Sequence, residues 1–305
     1  MDNLLTIKDL SRLEIMNLLS LTKDLKEEIP SVEQREILFG KSLGMIFAKA
    51  STRTRVSFEV GIYQLGGQGI FLSSNDIQLR RGESIADTAK TLSRYLDGIM
   101  IRTYNQEDVS ELAKYGSIPI INGLTDLYHP CQILADLFTI QEAGKKLEDI
   151  KLTYIGDGNN IAHSLLLAAA KVGFEINVAS PKNYQPKDKI VTKAEKIATN
   201  TGAKIKILTD PKQAAKKADV IYTDVWASMG DESEAEERMK AFADYQVNQN
   251  LLDVAQNDVI FLHCLPAHRG EEVTAKVIDG QNSIVFNQAE NRLHLQKAVL
   301  ANLMS

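Results

Sequence analysis

Apolar and polar positions alternate along this chain with two periods. Short apolar runs at 43–48, 70–73, 98–101 and 118–121 in the first half predict four strands. Runs at 152–155, 174–179, 205–208, 220–222 and 259–262 predict five more in the second half. Helical periodicity fills the gaps over 56–65, 84–96 and 106–115, and then over 160–172, 187–200 and 211–217. Further helices are expected over 131–143, over the acidic stretch 231–239 and over 289–304. Strands that alternate with helices predict parallel sheets with helices on both faces. One sheet of nine strands is possible, but two sheets of four or five fit a chain of 305 residues better. The predicted fold class is therefore α/β, with two domains that are each a parallel sheet flanked by helices. The first domain is expected over 1–133, completed by the C-terminal helix 289–305. The second is expected over 150–288, and 134–149 forms the helix and linker between them.

Composition narrows the function classes. The chain is 44% hydrophobic and 25% charged, as soluble globular proteins are. Its net charge of −5 and the absence of a Lys/Arg tract argue against a nucleic-acid partner. No stretch approaches the length of a membrane span, and the first nine residues hold no apolar core of signal-peptide length. Two cysteines, Cys131 and Cys264, are too few for a disulfide framework and suit a reducing, cytoplasmic setting. Neither belongs to a zinc-binding spacing.

In open parallel sheets, ligands bind beyond the carboxyl ends of the strands. Six polar clusters fall there. The first is Ser51-Thr52-Arg53-Thr54-Arg55, between a strand and a helix. Hydroxyls and guanidiniums at a helix N-terminus suit a phosphate, because the opening N–H groups lack helical partners and the dipole is positive there. Two arginines favour multidentate oxyanion recognition. The plainer alternative is an N-cap with two solvated arginines. Arg102 ends an apolar strand, where it needs either an acid or a ligand anion. His129 and Gln132 lie one helical turn apart and share a face, from which either could donate to a carbonyl oxygen. A histidine that caps its own loop is the alternative.

In the second half, Gly156-Asp157-Gly158-Asn159-Asn160 invites a dinucleotide reading. Ile161 occupies the third glycine position, and no acid follows the next strand, so the fingerprint fails. The glycines then serve a tight turn, and Asn159 and Asn160 are expected to be available to a polar ligand. In Asp224-Val225-Trp226-Ala227-Ser228-Met229-Gly230, a carboxylate and a hydroxyl could hold a ligand ammonium; a surface loop with a capping serine is the alternative. His263-Cys264-Leu265-Pro266 sets a thiol beside an imidazole. Neighbours on a strand point to opposite faces, so a hydrogen-bonding or buried thiol is expected rather than a Cys–His nucleophile.

Taken together, these motifs and a downstream Arg292 resemble the aspartate/ornithine carbamoyltransferase family. Ser-Thr-Arg-Thr-Arg, His-Pro-Cys-Gln and Arg292 are similar to its carbamoyl-phosphate site. Asp-Val-Trp-Ala-Ser-Met-Gly and His-Cys-Leu-Pro resemble the amine-side motifs of its ornithine branch. The resemblance runs from about residue 40 to 300, in the family's order. It implies two α/β domains linked by two crossing helices, and a homotrimer or a multiple of trimers. It also implies that Ser51, Thr52, Arg53 and Thr54 hold the phosphoryl group, and that Arg102, His129, Gln132 and Arg292 hold the carbamoyl end. Asn160, Asp224, Ser228 and Met229 would hold the α-amino and carboxylate groups of ornithine. Cys264 and the Leu265 carbonyl would face the reacting groups, and Gln78 would reach a neighbouring subunit's site. The implied catalytic set is Arg53, Arg102, His129, Cys264 and Arg292. The implied reaction joins carbamoyl phosphate and L-ornithine into citrulline and phosphate with no covalent intermediate and no metal or organic cofactor, as a step of arginine metabolism. Two alternatives stay open: a carbamoyltransferase for another amine, chiefly putrescine, and a non-catalytic anion-binding protein on the same fold.

Overall fold

The computed structural model describes residues 1–27, 36–78, 82–227 and 234–305. The chain divides into two compact units. The first comprises Met1–Phe138 and Glu290–Ser305, and the second Thr139–Ala289.

In the first unit, β1 (Ser42–Phe47), β2 (Gln68–Ser73), β3 (Gly98–Arg102) and β4 (Ile120–Leu124) form a sheet in the order β2-β1-β3-β4. Every pairing is parallel. The helices are α1 (Arg12–Glu27), α2 (Thr52–Gln64), α3 (Ile85–Leu92), α4 (Gln106–Tyr115) and the first two turns of α5 (Pro130–Glu142). Core side chains from β1, β3 and β4 meet Ala89, Val109 and Leu112 of α3 and α4. Strand order reverses between β1 and β3, so the crevice for a ligand lies at the carboxyl ends of those two strands. A register shift opposite Arg102 inserts an extra residue of β4 there, a device that re-aims a strand-end side chain.

In the second unit, β5 (Lys151–Ile155), β6 (Glu175–Ala179), β7 (Ile205–Leu208), β8 (Val220–Thr223) and β9 (Ile260–His263) form a parallel sheet in the order β7-β6-β5-β8-β9. The flanking helices are α6 (Asn160–Val172), α7 (Asp188–Ala198), α8 (Pro211–Ala215), α9 (Ala235–Ala241), α10 (Gln249–Leu252) and α11 (Ala275–Ile278). Here the order reverses between β5 and β8. Eleven of the thirteen residues of α6 are buried, from its Asn159 cap to Gly173, whose φ of +106° ends the helix in the left-handed region. The last helix, α12 (Val285–Met304), crosses the division, and its residues from Glu290 onward belong to the first unit.

Several boundaries differ from those read in the sequence. Helix α2 begins at Thr52 rather than 56, because Ser51 caps it by accepting the Thr54 N–H at 3.1 Å. β4 begins two residues after the apolar run at 118, since Pro119 offers a carbonyl to Ile99 but has no N–H for a ladder. Helix α12 starts four residues before 289. Helix α1 is not in the sequence reading, although Ile15, Leu18, Leu19, Thr22 and Leu25 bury one helical face. Helix α9 covers only the later part of the expected acidic helix, and residues 231–233 lie outside the described residues.

Candidate active site

Two polar clusters form, one at each point of strand-order reversal. In the first unit the cluster grows from the head of α2. Thr54 is buried, and Arg292 of α12, itself buried, donates from Nη2 to Thr54 Oγ1 at 2.8 Å across 238 residues of sequence. His129 stands in the field of Arg292, Arg102 and Arg53. Burial depresses its basicity most, the three guanidiniums depress it further, and His129 is held well below the ordinary imidazole range. The result is a concentration of positive charge around a neutral imidazole. That combination can bind a dianion and also donate a hydrogen bond to a carbonyl oxygen.

The segment before His129 is fixed locally. Thr125 accepts the Tyr128 N–H on its hydroxyl at 3.1 Å and donates its own backbone N–H to the Tyr128 carbonyl at 2.9 Å. Its hydroxyl also donates to Gln106 Oε1 at 2.8 Å. This closed turn delivers His129 and Pro130 to the head of α5, where a proline costs no helical hydrogen bond. One turn on, Gln132 is buried beside Asp136. Cys131 is buried too and donates to the Asn122 carbonyl at 3.4 Å; burial pushes its thiol up to about 12, so it packs rather than reacts.

In the second unit, Asp224 is the hub. Its Oδ2 accepts Asn159 Nδ2 at 2.9 Å, and its Oδ1 accepts the Val225 N–H and the Cys264 thiol, each at 2.9 Å. Tyr154 lies beneath this group. Burial raises its phenol well above the ordinary range, and the charges of Asp224 and Asp157 and nearby Cys264 add to the rise. Arg238 braces the loop, donating to Asp157 Oδ2 at 3.1 Å and to the Trp226 carbonyl at 3.0 Å. Asn160 is the first residue of α6, half-buried, at the carboxyl end of β5.

The structure brings Thr54, Arg53, Arg102, His129 and Arg292 together in the first unit, and Asp224 and Cys264 in the second. Ser51 sits at the same helix head, where its hydroxyl serves as the cap, and Thr52 follows it. Gln78 is exposed in the segment after the edge strand β2. Ser228 and Met229 lie outside the described residues.

Two expectations need correction. Arg55 turns away from the anion corner, because its Nε donates to Glu59 at 3.0 Å and its guanidinium stacks 3.9 Å over the Phe71 ring. Arg53 is thus the guanidinium of that run within the charged cluster. Asn159 is not available to a ligand: its Oδ1 caps α6 through the Ile161 and Ala162 N–H groups, and its amide holds Asp224.

His263 also finds its role here. Its Nδ1 accepts the Leu265 N–H at 2.9 Å, so the ring proton sits on Nε2 and goes to Glu272 Oε1 at 3.1 Å. The bond from its own N–H to His263 ties down Leu265, which adopts φ +58°, a region that branched side chains seldom enter. Sequence reading missed Glu272, since nothing local links it to a histidine nine positions earlier. It also missed Lys49, a buried lysine paired with Asp126 and lying 4.4 Å from the centre of the Tyr104 ring. A lysine two residues before Ser51 was the available signal for it.

Comparison with known proteins gives a consistent result. Residues 2–142 match the family model described as aspartate/ornithine carbamoyltransferase, carbamoyl-P binding domain. Residues 148–303 match its Asp/Orn binding domain. The chain is 62% identical to an ornithine carbamoyltransferase of Oceanobacillus iheyensis, over 99% of this chain and 94% of that protein. It is 55% identical to one of Thermococcus kodakarensis, over 99% and 96%. Among solved structures it is similar to ornithine carbamoyltransferase from Pyrococcus furiosus, with a TM-score of 0.94 at 53% identity, covering 99% of this chain and 96% of that one.

Proposed function

The chain belongs to the aspartate/ornithine carbamoyltransferase family, and on that premise we propose that it transfers the carbamoyl group of carbamoyl phosphate to the δ-amine of L-ornithine, giving L-citrulline and phosphate. The observation that carries this reading is the set of three guanidiniums around His129: Arg53 from the head of α2, Arg102 from the end of β3 and Arg292 from α12. Ser51, Thr52, Arg53 and Thr54 hold the phosphoryl group, which sits on helix N–H groups as well as charge. Arg102, His129 and Arg292 polarise the carbonyl and neutralise the oxyanion that develops on attack. Gln132 takes the carbamoyl amide, and Gln78 reaches the site of a neighbouring copy.

On the amine side, Asp224 holds the α-ammonium, while Asn160, Ser228 and Met229 hold the α-carboxylate. Cys264 and the Leu265 carbonyl face the reacting amine and carbamoyl group. The amine must attack unprotonated. A primary ammonium with a reference pKa near ~10.4 is about 4.6 kcal/mol short of that state at pH 7. A C–N bond forms, the C–O bond to phosphate breaks, and the amine's proton leaves with the departing phosphate. Carbamoyl phosphate is already activated, so positioning and charge suffice and no covalent intermediate forms.

We place the reaction in arginine metabolism and the protein in the cytoplasm, in keeping with two cysteines that form no disulfide. No helix among the described residues is long and apolar enough to cross a membrane. We also read the working form as a homotrimer or a multiple of trimers. Supporting this, α2 exposes Val56, Val60 and Tyr63 at helical spacing, and the neighbouring edge strand β2 exposes Ile70 and Phe71.

The test is citrulline formation from carbamoyl phosphate with L-ornithine, run beside putrescine and aspartate. Ornithine is expected to exceed either by at least about a hundredfold in kcat/KM, since a site built for a carboxylate rejects putrescine, which lacks one, and aspartate has no δ-amine to present. Preference for putrescine would keep the phosphate site and overturn the assignment of the Asp224 loop. No carbamoyl transfer to any amine would favour the anion-binding alternative.

A further inference from the structure

Helix α5 carries an acid that the reaction as described does not use. Asp136 is fully buried, one turn beyond Gln132, with Leu134, Ala135 and Leu137 around it in sequence. Its Oδ1 accepts Gln132 Nε2 at 2.9 Å. Gln132 Oε1 is buried as well and has no hydrogen-bond partner among the described residues. A buried amide oxygen left in that state is costly, so it is explained best by a partner that arrives with the ligand. Side chains on a helix lean toward its N-terminus, which puts the Gln132 amide over the turn that starts at His129.

The chemistry of the two ends of a primary amide then decides what that partner is. A glutamine amide can present either its oxygen or its NH2 to a ligand, and the two look alike in size. A carboxylate only accepts, so it can face the NH2 end alone. We propose that Asp136 is a positioning residue for carbamoyl recognition: by taking the Gln132 Nε2 donor it commits Gln132 Oε1 to accept the carbamoyl NH2. This inference rests on the carbamoyl-phosphate reading above and deepens it. It assigns to one carboxylate the discrimination between a carbamoyl group and an acyl group of the same shape. Acetyl phosphate has a methyl where carbamoyl phosphate has NH2, and its phosphate is identical. An acceptor aimed at that position rewards the amide and is left unpaired against the methyl.

The experiment measures kcat/KM for carbamoyl phosphate and the inhibition constant of acetyl phosphate in wild type, Asp136→Ala, Gln132→Ala and the double variant. Asp136→Ala is expected to lower kcat/KM for carbamoyl phosphate by at least about tenfold while acetyl phosphate binding changes by less than about threefold. Because Asp136 acts through Gln132, the double variant should resemble Gln132→Ala alone, the non-additivity of a coupled pair. Should Asp136→Ala fold poorly, the near-isosteric Asp136→Asn keeps the test. Its side chain can offer donor or acceptor, so selectivity should still fall, by about threefold. Equal losses for both ligands, an unchanged carbamoyl-to-acetyl ratio in a folded variant, or full additivity in the double variant would overturn the inference. If wild type itself shows no citrulline formation, the underlying reading fails instead, and the two failures are thereby separated.

Discussion

At the scale of single residues, His129 shows what burial and neighbouring charge do together. Burial and the guanidiniums of Arg292, Arg102 and Arg53 all oppose its protonation. The sequence placed His129 beside Gln132 and left a loop-capping role open; the charge around it comes from residues 27, 76 and 163 positions away in the chain. A stability prediction follows. In the unfolded chain histidine takes up a proton near pH ~6.5, whereas folded His129 does not. Acidification below that pH therefore favours unfolding, by up to about 1.4 kcal/mol per pH unit for each such proton. His129→Gln should flatten the fall in urea-unfolding free energy between pH 7 and pH 5.5. His294, also depressed by burial and then by Lys26 and Lys297, keeps its share in both proteins. Identical slopes for wild type and variant would assign the lost stability to other groups.

At the scale of elements, the carboxyl ends of β1 and β5 show how a turn carries function. The Gly156–Asn160 turn keeps glycine at 158 for close approach: a Cβ there would lie 2.2 Å from Pro186 N and 2.4 Å from the Gln185 carbonyl carbon. Backbone would have to move, and the next residue is the Asn159 cap that also holds Asp224. Gly158→Ala should therefore destabilise the protein by about 1–3 kcal/mol in thermal or urea melts and raise KM for ornithine. A variant with wild-type melting and ornithine KM would mean the turn adjusts freely. The dinucleotide-like spelling of this turn thus reflects packing against residues 185 and 186. At β1, the cap at Ser51 pulls Thr52–Thr54 into the first turn of α2 and sends Arg55 to the opposite side, onto Phe71. Helical spacing alone places Arg53 and Arg55 about 200° apart, which a count of arginines in the run does not convey.

At the scale of the whole molecule, the trimer we propose would use the exposed face of α2 and the edge of β2 to meet a second copy. Tyr63 is 73% exposed in the single chain. Tyr63→Asp should leave the fold of one chain intact and weaken assembly by at least about tenfold in sedimentation velocity, as loss of an aromatic interface anchor does. A wild-type protein that sediments as a monomer at micromolar concentration would remove the basis for a shared site.

The two-period pattern of apolar residues determined two sets of parallel strands and the helices between them, because side-chain periodicity is a local property. It also determined that the polar motifs follow strands, and so lie on the ligand-binding edge of each sheet. Clear departures came where a cap, a proline or a turn overrode the pattern, as at Ser51 and Pro119. The pairing of groups was decided by tertiary structure alone. Arg292 bonds Thr54, Cys264 bonds Asp224, and Glu272 accepts the Nε2 proton of His263 across separations that no periodicity encodes. The physical reason is that strand order, with its reversals between β1 and β3 and between β5 and β8, is set by how the sheets bury their faces. That order, rather than distance along the chain, chooses which strand ends become neighbours.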